Sequence, residues 1–199
     1  MKTKFLLTLA AVVCGLSCTA QTNAKQNNME NKKALVVFFS HAGENYSVGN
    51  IKVGNTKIVA DYISELTGAD QFEIVTHKYD GMSYKRVCDV AQDEQIKDER
   101  PAFEGGIENI DRYDIVFVGG PVWWGTWPQV MFTFFDKYNL SGKTVYPFTT
   151  HEGSGLGSCV QDLRSNCPHA DVQKGFAIYG HEVRNGKQKV EKWLQSIGY

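Results

Sequence analysis

The chain has 199 residues, of which 42% are apolar and 12% aromatic, and its 21 basic side chains nearly balance its 22 acidic ones. This length holds one domain, or one domain with a tail, and the apolar share excludes a wholly disordered protein. The near-zero charge excludes the concentrated basic face that nucleic-acid binding requires. Five cysteines are too few for a disulfide scaffold.

The first twenty residues have the layout of a secretory signal. Lys2 and Lys4 precede an apolar stretch, residues 5–16, that is too short to span a membrane. Two processing routes remain open, namely cleavage after Ala20 and lipidation of Cys18. The protein is therefore expected to be exported, either free in the periplasm or held by a lipid anchor at Cys18.

Residues 21–33 are almost entirely polar and predict a flexible tether, which leaves 34–199 as one folded domain. Removing residues 1–20 takes away two lysines and no acid, so 19 basic and 22 acidic residues remain, a net charge of −3. Cys159 and Cys167 are predicted at opposite ends of one helix, about 12 Å apart, too far for a disulfide. The sequence does not place Cys88 near either of them, and no His or Cys spacing indicates a metal site.

From Ala34 onward, short apolar runs alternate with segments of helical periodicity. The predicted strands are 34–39, 71–76, 114–119, 143–148 and 172–179, and the predicted helices cover about 58–66, 83–99, 128–135, 156–166 and 183–197. This alternation predicts an α/β fold with a five-stranded parallel sheet and helices on both faces. In such sheets ligands bind beyond the carboxyl ends of the strands, so a ligand site is expected in the loops that follow the strands.

The loop after the first strand begins Ser40-His41-Ala42-Gly43 and, after an insertion, ends Gly54-Asn55-Thr56 at the start of a helix. Hydroxyl groups, free backbone amides and the positive end of a helix dipole together favour a phosphate. An ordinary helix N-cap at Asn55 or Thr56 is the alternative.

Two further loops carry unusual residues. Residues 120–127 include three tryptophans, which cannot all be core at a strand end and which favour stacking on a planar aromatic ligand; a surface for a protein partner is the alternative. Residues 149–157 combine short polar side chains with three glycines, which predicts a backbone wrap around a ligand or, alternatively, a plain connector.

Together these motifs (Ser-x-x-Gly with Asn-Thr, Pro-x-Trp-Trp-Gly-Thr, and Thr-His-x-Gly-Ser-Gly) resemble the flavodoxin-like family, in particular its bacterial branch with a Trp-Trp-Gly loop. The resemblance implies the strand order 2-1-3-4-5 and one non-covalent FMN. It implies that the flavin phosphate lies at Ser40, Asn55 and Thr56, with the amides around His41, Ala42 and Gly43. It implies that the ring lies between two sets of residues: Pro121, Val122, Trp123, Trp124 and Gly125 on one side, and Thr149, His151, Gly153 and Ser154 on the other.

The sequence departs from the family pattern in the phosphate loop. About ten residues, Glu44 to Val53, interrupt a motif that is usually continuous, and Ala42 occupies the usual position of a threonine. Asn45 or the Tyr46-Ser47 pair could replace the missing donor, or the insertion could form a lid near the flavin.

The resemblance implies electron transfer through FMN to an unidentified redox partner protein. The alternative is an FMN-dependent reductase of quinones or other small acceptors, since carrier flavodoxins are typically strongly acidic and this chain is not. A binding module without flavin is the third interpretation. For a reductase, loop position makes four side chains candidate donors around the ring, but no residue is assigned as catalytic: His41, Tyr46, His151 and His181.

Overall fold

The computed structural model describes residues 32–199. The predicted export signal, residues 1–20, and most of the predicted tether, residues 21–33, lie outside this range. Lys33 is already bonded to the sheet, since its carbonyl accepts hydrogen bonds from the backbone N–H groups of Asp114 (2.9 Å) and Ile115 (3.2 Å). Within the described range, no helix combines the length and apolarity needed to cross a membrane.

Strands and helices alternate along the described chain. The strands are β1 (Ala34–Phe38), β2 (Gly43–Asn45), β3 (Gly49–Ile51), β4 (Asp70–Glu73), β5 (Ile115–Pro121), β6 (Thr144–His151), β7 (Asp171–Val172) and β8 (Phe176–Tyr179). The α-helices are α1 (Asn55–Thr67), α2 (Tyr84–Lys97), α3 (Gln129–Lys137), α4 (Cys159–Asn166) and α5 (Lys187–Ile197), and short 3-10 helices cover Ile110–Arg112 and Gly180–Asn185.

The main sheet has the order β4-β1-β5-β6-β7, with β8 also paired to β6, and all its pairs are parallel. This confirms the predicted α/β fold and the order 2-1-3-4-5. The fifth position differs in one respect, because the predicted strand 172–179 is split into β7 and β8. Leu156 packs against the chain at this break, and a Cβ on Gly175 would lie only 2.8 Å from Leu156 Cδ2.

Both faces of the sheet are covered, which explains the continuous apolar runs of its central strands. Side chains alternate along β1, so Leu35 and Val37 belong to one buried cluster and Val36 and Phe38 to the other. The first cluster contains residues of α2, α3 and α4, and the second contains residues of α1 and α5. The carboxyl edge of the sheet between these layers is thereby left for the loops.

The insertion, residues 44–53, contains regular structure that the sequence did not predict. Strands β2 and β3 pair antiparallel as a hairpin, with Gly43 opposite Ile51. Its turn places Ser47 and Gly49 at positive φ, 65° and 75°, a conformation that costs least at glycine. The side-chain amide of Asn45 donates to the carbonyls of His41 (3.3 Å) and Gly43 (3.2 Å), which fixes the hairpin to the loop after β1.

Candidate functional site

A cavity of about 390 Å³ opens at the carboxyl ends of β1, β5 and β6, where the topology predicts a ligand site. This volume lies in the range of about 300–1,000 Å³ that is usual for small-molecule and cofactor sites. Its lining brings together nine of the predicted site residues: His41, Asn55, Thr56, Pro121, Val122, Trp123, Trp124, His151 and Ser154. The other six predicted residues do not line it: Ser40, Ala42, Gly43, Gly125, Thr149 and Gly153.

One side of the cavity is formed by the N-terminus of α1 and the ends of β5 and β6, and we call it the loop wall (Asn55, Thr56, Val122, Thr150, His151 and Ser154). Gly54 precedes α1 and supplies no side-chain cap, and the first turn contains no acidic residue. The positive end of the helix dipole therefore meets the cavity with no acid in its own first turn, which favours an anion.

Ser40, predicted to contact the phosphate, lies outside the cavity lining and contacts α1. Its hydroxyl accepts a hydrogen bond from the backbone N–H of Lys57, at 3.0 Å, and so holds the loop against α1. A Cβ on Gly54 would lie 2.2 Å from Ser40 Oγ and 2.7 Å from the His41 carbonyl oxygen. The close approach of the two segments therefore depends on glycine at position 54.

The threonine that faces the cavity on β6 is Thr150 rather than the predicted Thr149. Thr150 Oγ1 lies 2.8 Å from Thr56 Oγ1, and both residues are almost fully buried. Thr149 points to the opposite face and donates to the carbonyl of Gly155 at 2.9 Å. Because side chains alternate along a strand, the one-residue difference moves the hydroxyl to the other side.

The loop after β5 makes a tight turn, in which Trp123 and Thr126 exchange two backbone hydrogen bonds (2.9 and 3.1 Å). Trp124 and Gly125 occupy its corner, with φ of 48° and 85°. The three tryptophans have separate environments: Trp127 is in the core, Trp123 is half-buried, and Trp124 is 50% exposed. Trp123 and Trp124 therefore line the cavity and Trp127 does not. This agrees with the expectation that the three tryptophans would not all lie in the core.

Hydrogen bonds fix the side chains of His151 and Glu152, the first to Gly153 and the second to His181. The backbone N–H of Gly153 donates to His151 Nδ1 at 2.9 Å, so the ring proton of a neutral His151 lies on Nε2. The Glu152 carboxylate accepts a hydrogen bond from the backbone N–H of His181 (2.9 Å) and lies 2.7 Å from its Nδ1. Gly153 thus acts through its amide on His151 rather than on the cavity.

The two histidines that line the cavity are biased toward the neutral form. Burial lowers the pKa of His41, with Asp80 opposing the shift, and burial also lowers the pKa of His151. The Nε2 atom of His41 is buried and has no hydrogen-bond partner in the described chain. Such an unsatisfied atom is costly, and a ligand group at this place would remove the cost.

The opposite side of the cavity, which we call the helix wall (Tyr46, Tyr84, Val87, Cys88, Ala91 and Trp124), was not predicted as a whole. Four of its residues lie on α2, and Tyr46 lies between the two strands of the hairpin. The Glu44 carboxylate accepts a hydrogen bond from the backbone N–H of Tyr84 at 2.9 Å. The Trp124 indole donates to the Cys88 carbonyl at 2.9 Å. The amphipathic pattern of residues 83–99 predicted α2, but not that one end of its inward face meets a cavity.

The buried carboxylate of Glu94 holds a tyrosine that packs behind two residues of the cavity lining. Glu94 of α2 is 1% exposed, accepts a hydrogen bond from Tyr79 Oη at 2.8 Å and has its Oε1 2.8 Å from Lys78 Nζ. The Tyr79 ring packs edge-on against Trp123 and His41, with centroid distances of 5.0 and 6.3 Å. Burial, reinforced by Glu94, raises the pKa of Tyr79, so its hydroxyl remains a donor. Glu94 therefore fixes a ring that backs two cavity residues.

Among residues 32–199, no group of three or more metal-ligating side chains is close enough to hold an ion. The described cysteines, Cys88, Cys159 and Cys167, are all free thiols.

The chain is similar in sequence and structure to known flavoproteins. A proposed flavoprotein from Bacteroides eggerthii is 28% identical, with 85% of this chain and 99% of that one covered and a TM-score of 0.65. A second, from Bacteroides uniformis, is 25% identical, with 82% and 98% covered and a TM-score of 0.68. A flavoprotein from Lactobacillus acidophilus in complex with FMN shares the fold, at 22% identity, 82% and 99% coverage and a TM-score of 0.59.

No curated protein sequence matches the chain significantly. The sequence pattern of the flavodoxin family, in contrast, matches residues 33–197, which is almost the whole described chain and includes both walls of the cavity. The chain therefore belongs to the flavodoxin family.

Proposed function

We propose that the protein binds FMN non-covalently in this cavity and transfers electrons through it. The observation that carries the proposal is the N-terminus of α1, which meets the cavity at Asn55 and Thr56 with no side-chain hydrogen bond from its N-cap residue Gly54 and no acidic residue in its first turn. This is the combination that binds a phosphate group. Membership of the flavodoxin family and the FMN complex of the Lactobacillus acidophilus protein support the choice of ligand.

The residues present fit the phosphate end of FMN. The N-cap residue Gly54 makes no side-chain hydrogen bond, Ser40 holds the backbone N–H of Lys57, and the backbone amides of Asn55 and Thr56 and the Thr56 hydroxyl lie at the cavity. Each would donate to phosphate oxygens, and such charge-assisted hydrogen bonds are stronger than neutral ones. Gly54 permits this loop to approach α1, since any larger residue would collide with Ser40.

The residues beside the Trp turn fit the flavin ring. Trp123 and Val122 offer a flat apolar surface on one side, and His151 with Ser154 offers polar groups on the other. His41, with its buried and unpartnered Nε2, is available to a polar ring atom or to the phosphate. When bound, FMN supplies one- and two-electron redox chemistry, while these residues orient it and exclude water.

The proposal is tested by FMN titration of the purified apoprotein, followed by quenching of flavin fluorescence and by the absorbance spectrum. Thr56→Val should weaken binding by roughly tenfold to a hundredfold, because one hydrogen bond to a charged group is lost. Thr56→Ser keeps the hydroxyl and should bind nearly as well. Thr133→Val, on the far helix α3, is the matched control. Apoprotein that takes up no FMN would refute the proposal.

The stacking role of the tryptophans is tested in the same assay. Trp123→Ala removes a half-buried ring from the cavity wall, and Trp124→Ala removes an exposed ring held on the Cys88 carbonyl. If stacking contributes, at least one variant should retain FMN several-fold less well. Retention unchanged in both would show that the flavin ring is held without them.

We further propose that the N-terminal segment directs export by one of two routes: cleavage after Ala20, which leaves the domain free in the periplasm, or retention of a lipidated Cys18 as an anchor. The support is the basic and apolar layout of this segment. The mature N-terminus, determined by mass spectrometry after fractionation of the native host, distinguishes the routes. A chain that begins at Gln21 supports cleavage, a lipid-modified Cys18 supports the anchor, and an intact Met1 in the cytoplasm would overturn export.

A further inference from the structure

A tryptophan, a tyrosine and a carboxylate form a continuous path from the cavity into the core. The ring of Trp123, which lines the cavity, meets the ring of Tyr79 edge-on, with centroids 5.0 Å apart. The Tyr79 hydroxyl donates a hydrogen bond to Glu94 Oε2 at 2.8 Å. Two oxidisable rings and one proton acceptor therefore lie in contact, in that order from the cavity inward.

Burial separates the inner part of this path from water. Tyr79 and Glu94 are each 1% exposed, whereas Trp123 is half-buried at the cavity. Burial, reinforced by Glu94, raises the pKa of Tyr79, so its hydroxyl keeps its proton at physiological pH. A neutral phenol gives up an electron readily only when its proton leaves as well, and a positioned base makes that proton transfer fast. The base that the Tyr79 hydroxyl contacts is Glu94.

The charges around Glu94 are compensated before and after such a proton transfer. Lys78 Nζ lies 2.8 Å from Glu94 Oε1, which leaves Oε2 to Tyr79. The same ammonium group lies 2.9 Å from Glu99. If Glu94 accepts a proton, Lys78 therefore keeps an anionic partner, and no buried charge is left alone.

Two other tyrosines each have one half of this arrangement. Tyr113 is 3% exposed and donates to Asp70 at 2.8 Å, but no tryptophan ring packs against it among residues 32–199. Tyr146 packs against Trp193, with centroids 6.4 Å apart, but its hydroxyl has no carboxylate partner in the described chain. A tryptophan on one side and a carboxylate on the other thus meet at the tyrosine behind the cavity.

We propose that Trp123, Tyr79 and Glu94 form a relay that carries oxidising equivalents out of the cavity. A one-electron oxidant, of the class of oxidising radicals, first removes an electron from the Trp123 indole. Tyr79 then gives one electron to the indole while its O–H bond breaks and an O–H bond forms at Glu94 Oε2. The products are an intact indole, a neutral phenoxyl radical on Tyr79 and a protonated Glu94. The transfer itself requires no ligand, and its use in the cell, to protect a cavity residue from oxidative damage, rests on the proposed redox function.

The test is pulse radiolysis of the full-length apoprotein with the azide radical, which oxidises tryptophan in preference to tyrosine. The indolyl absorbance should decay while the phenoxyl absorbance grows. Trp123→Phe should remove the part of this signal that comes from the cavity. Tyr79→Phe keeps the ring but has no proton to give, and should slow that part of the decay by at least roughly tenfold.

Glu94→Gln tests the proton step. Its amide oxygen can still accept the hydrogen bond from Tyr79 but is not a base, so the decay should again slow by at least roughly tenfold. In the wild type the decay should be slower in D2O than in H2O, because a proton moves with the electron. Tyr113→Phe, which removes a buried hydroxyl from another carboxylate, is the matched control and should decay like the wild type. Circular dichroism checks that each variant is folded.

A second readout is the chemical damage left at the cavity. An indole radical that persists reacts with dioxygen, so Tyr79→Phe and Glu94→Gln should each accumulate several-fold more oxidised Trp123 after steady exposure to azide radicals. Tandem mass spectrometry of the peptide that contains it measures this yield. Trp124, which is 50% exposed and donates to the Cys88 carbonyl, is the internal reference and should be oxidised equally in all variants.

The outcomes decide the relay independently of FMN. Cavity indolyl decay that is as fast in Tyr79→Phe as in the wild type would overturn it. Equal rates in Glu94→Gln and the wild type, or no slowing of the wild type in D2O, would overturn the role of Glu94. If Glu94→Gln does not fold, Tyr79→Phe and the D2O comparison still give the answer. Failure to take up FMN refutes only the proposed function, and absence of phenoxyl growth refutes only the relay.

Discussion

The loop wall and the helix wall of the cavity are built in different ways. The loop wall consists of the N-terminus of α1 and the ends of β5 and β6, and the hydroxyls of Thr56 and Thr150 pair there at 2.8 Å. The helix wall consists of large side chains from α2 and an inserted hairpin, linked by the Glu44–Tyr84 and Trp124–Cys88 hydrogen bonds. The first wall is fixed by backbone geometry and the second by side-chain packing, so different substitutions should disturb each.

The largest effect is expected at Glu94, which supports the cavity from the side of α2. Glu94→Ala leaves the buried Tyr79 hydroxyl without its acceptor and the Lys78 ammonium with Glu99 alone, and should lower the free energy of unfolding by about 2–4 kcal/mol. Denaturant unfolding of the apoprotein measures this change. Tyr79 backs both Trp123 and His41, so FMN affinity should fall with it.

Glu99→Ala is the matched control for this prediction. Glu99 also pairs with Lys78, at 2.9 Å, but is 37% exposed. A surface pair of this kind contributes about 0–1 kcal/mol, so the variant should remain close to the wild type. Equal losses from the two variants would show that Glu94 acts as an ordinary surface charge and not as a support for the site.

The next effect is expected in the loop wall, at Gly54. Gly54→Ala places a Cβ against Ser40 Oγ and the His41 carbonyl oxygen, and backbone must move to accommodate it. The free energy of unfolding should fall by about 1–3 kcal/mol, as in other overpacked sites. For the same loss of stability, Gly54→Ala should lose more FMN affinity than Glu94→Ala. The reason is that Gly54→Ala displaces the proposed phosphate contacts themselves.

Gly106→Ala provides the comparison, since its Cβ would meet nothing closer than the Tyr138 hydroxyl, at 3.1 Å. This variant should lose less stability than Gly54→Ala and retain FMN binding. If Gly54→Ala behaved like Gly106→Ala, the loop after β1 would have room to move, and backbone geometry would not define the loop wall.

The contrast between the walls also explains what the sequence could predict. The position of the loop wall can be predicted from local signals. The end of a buried strand such as 34–38 predicts where the next loop begins, and the parallel topology brings these loops together at one edge of the sheet. Within that wall, the sequence indicated Thr149, whereas the threonine that lines the cavity is its neighbour Thr150. Strand periodicity gives the alternation but not its phase when both faces of the sheet are buried.

The helix wall could not be predicted from such signals. Its links join residues far apart in sequence, 40 positions for Glu44 and Tyr84 and 36 for Cys88 and Trp124. The departure from the family motif at residues 44–53 was visible, but neither its pairing as a hairpin nor its contact with α2 through Glu44 has a local signal. Non-local packing of this kind leaves no periodic trace in the sequence.

The smallest effect is expected in the pH dependence of the free energy of unfolding, to which a histidine inside the cavity and one outside it contribute with opposite signs. Burial lowers the pKa of His41, so its contribution to stability is present above the ordinary histidine value of about 6.5 and is lost as the pH falls toward the lowered value. The hydrogen bond with Asp80 raises the pKa of the exposed His77, so its contribution is complete below the ordinary value and is lost as the pH rises through the raised one. The signs are opposite because His41 lies inside the cavity and His77 lies outside it.

Each histidine replaced by asparagine should therefore change the acid sensitivity in its own direction. The pH is lowered from roughly one unit above 6.5 to roughly one unit below it. Over this interval His41→Asn should lose less free energy of unfolding than the wild type, and His77→Asn should lose more. Urea unfolding at the two pH values measures both. Equal acid sensitivity of the wild type and His41→Asn would mean that the imidazole is solvated and that the cavity is open to water at the loop after β1.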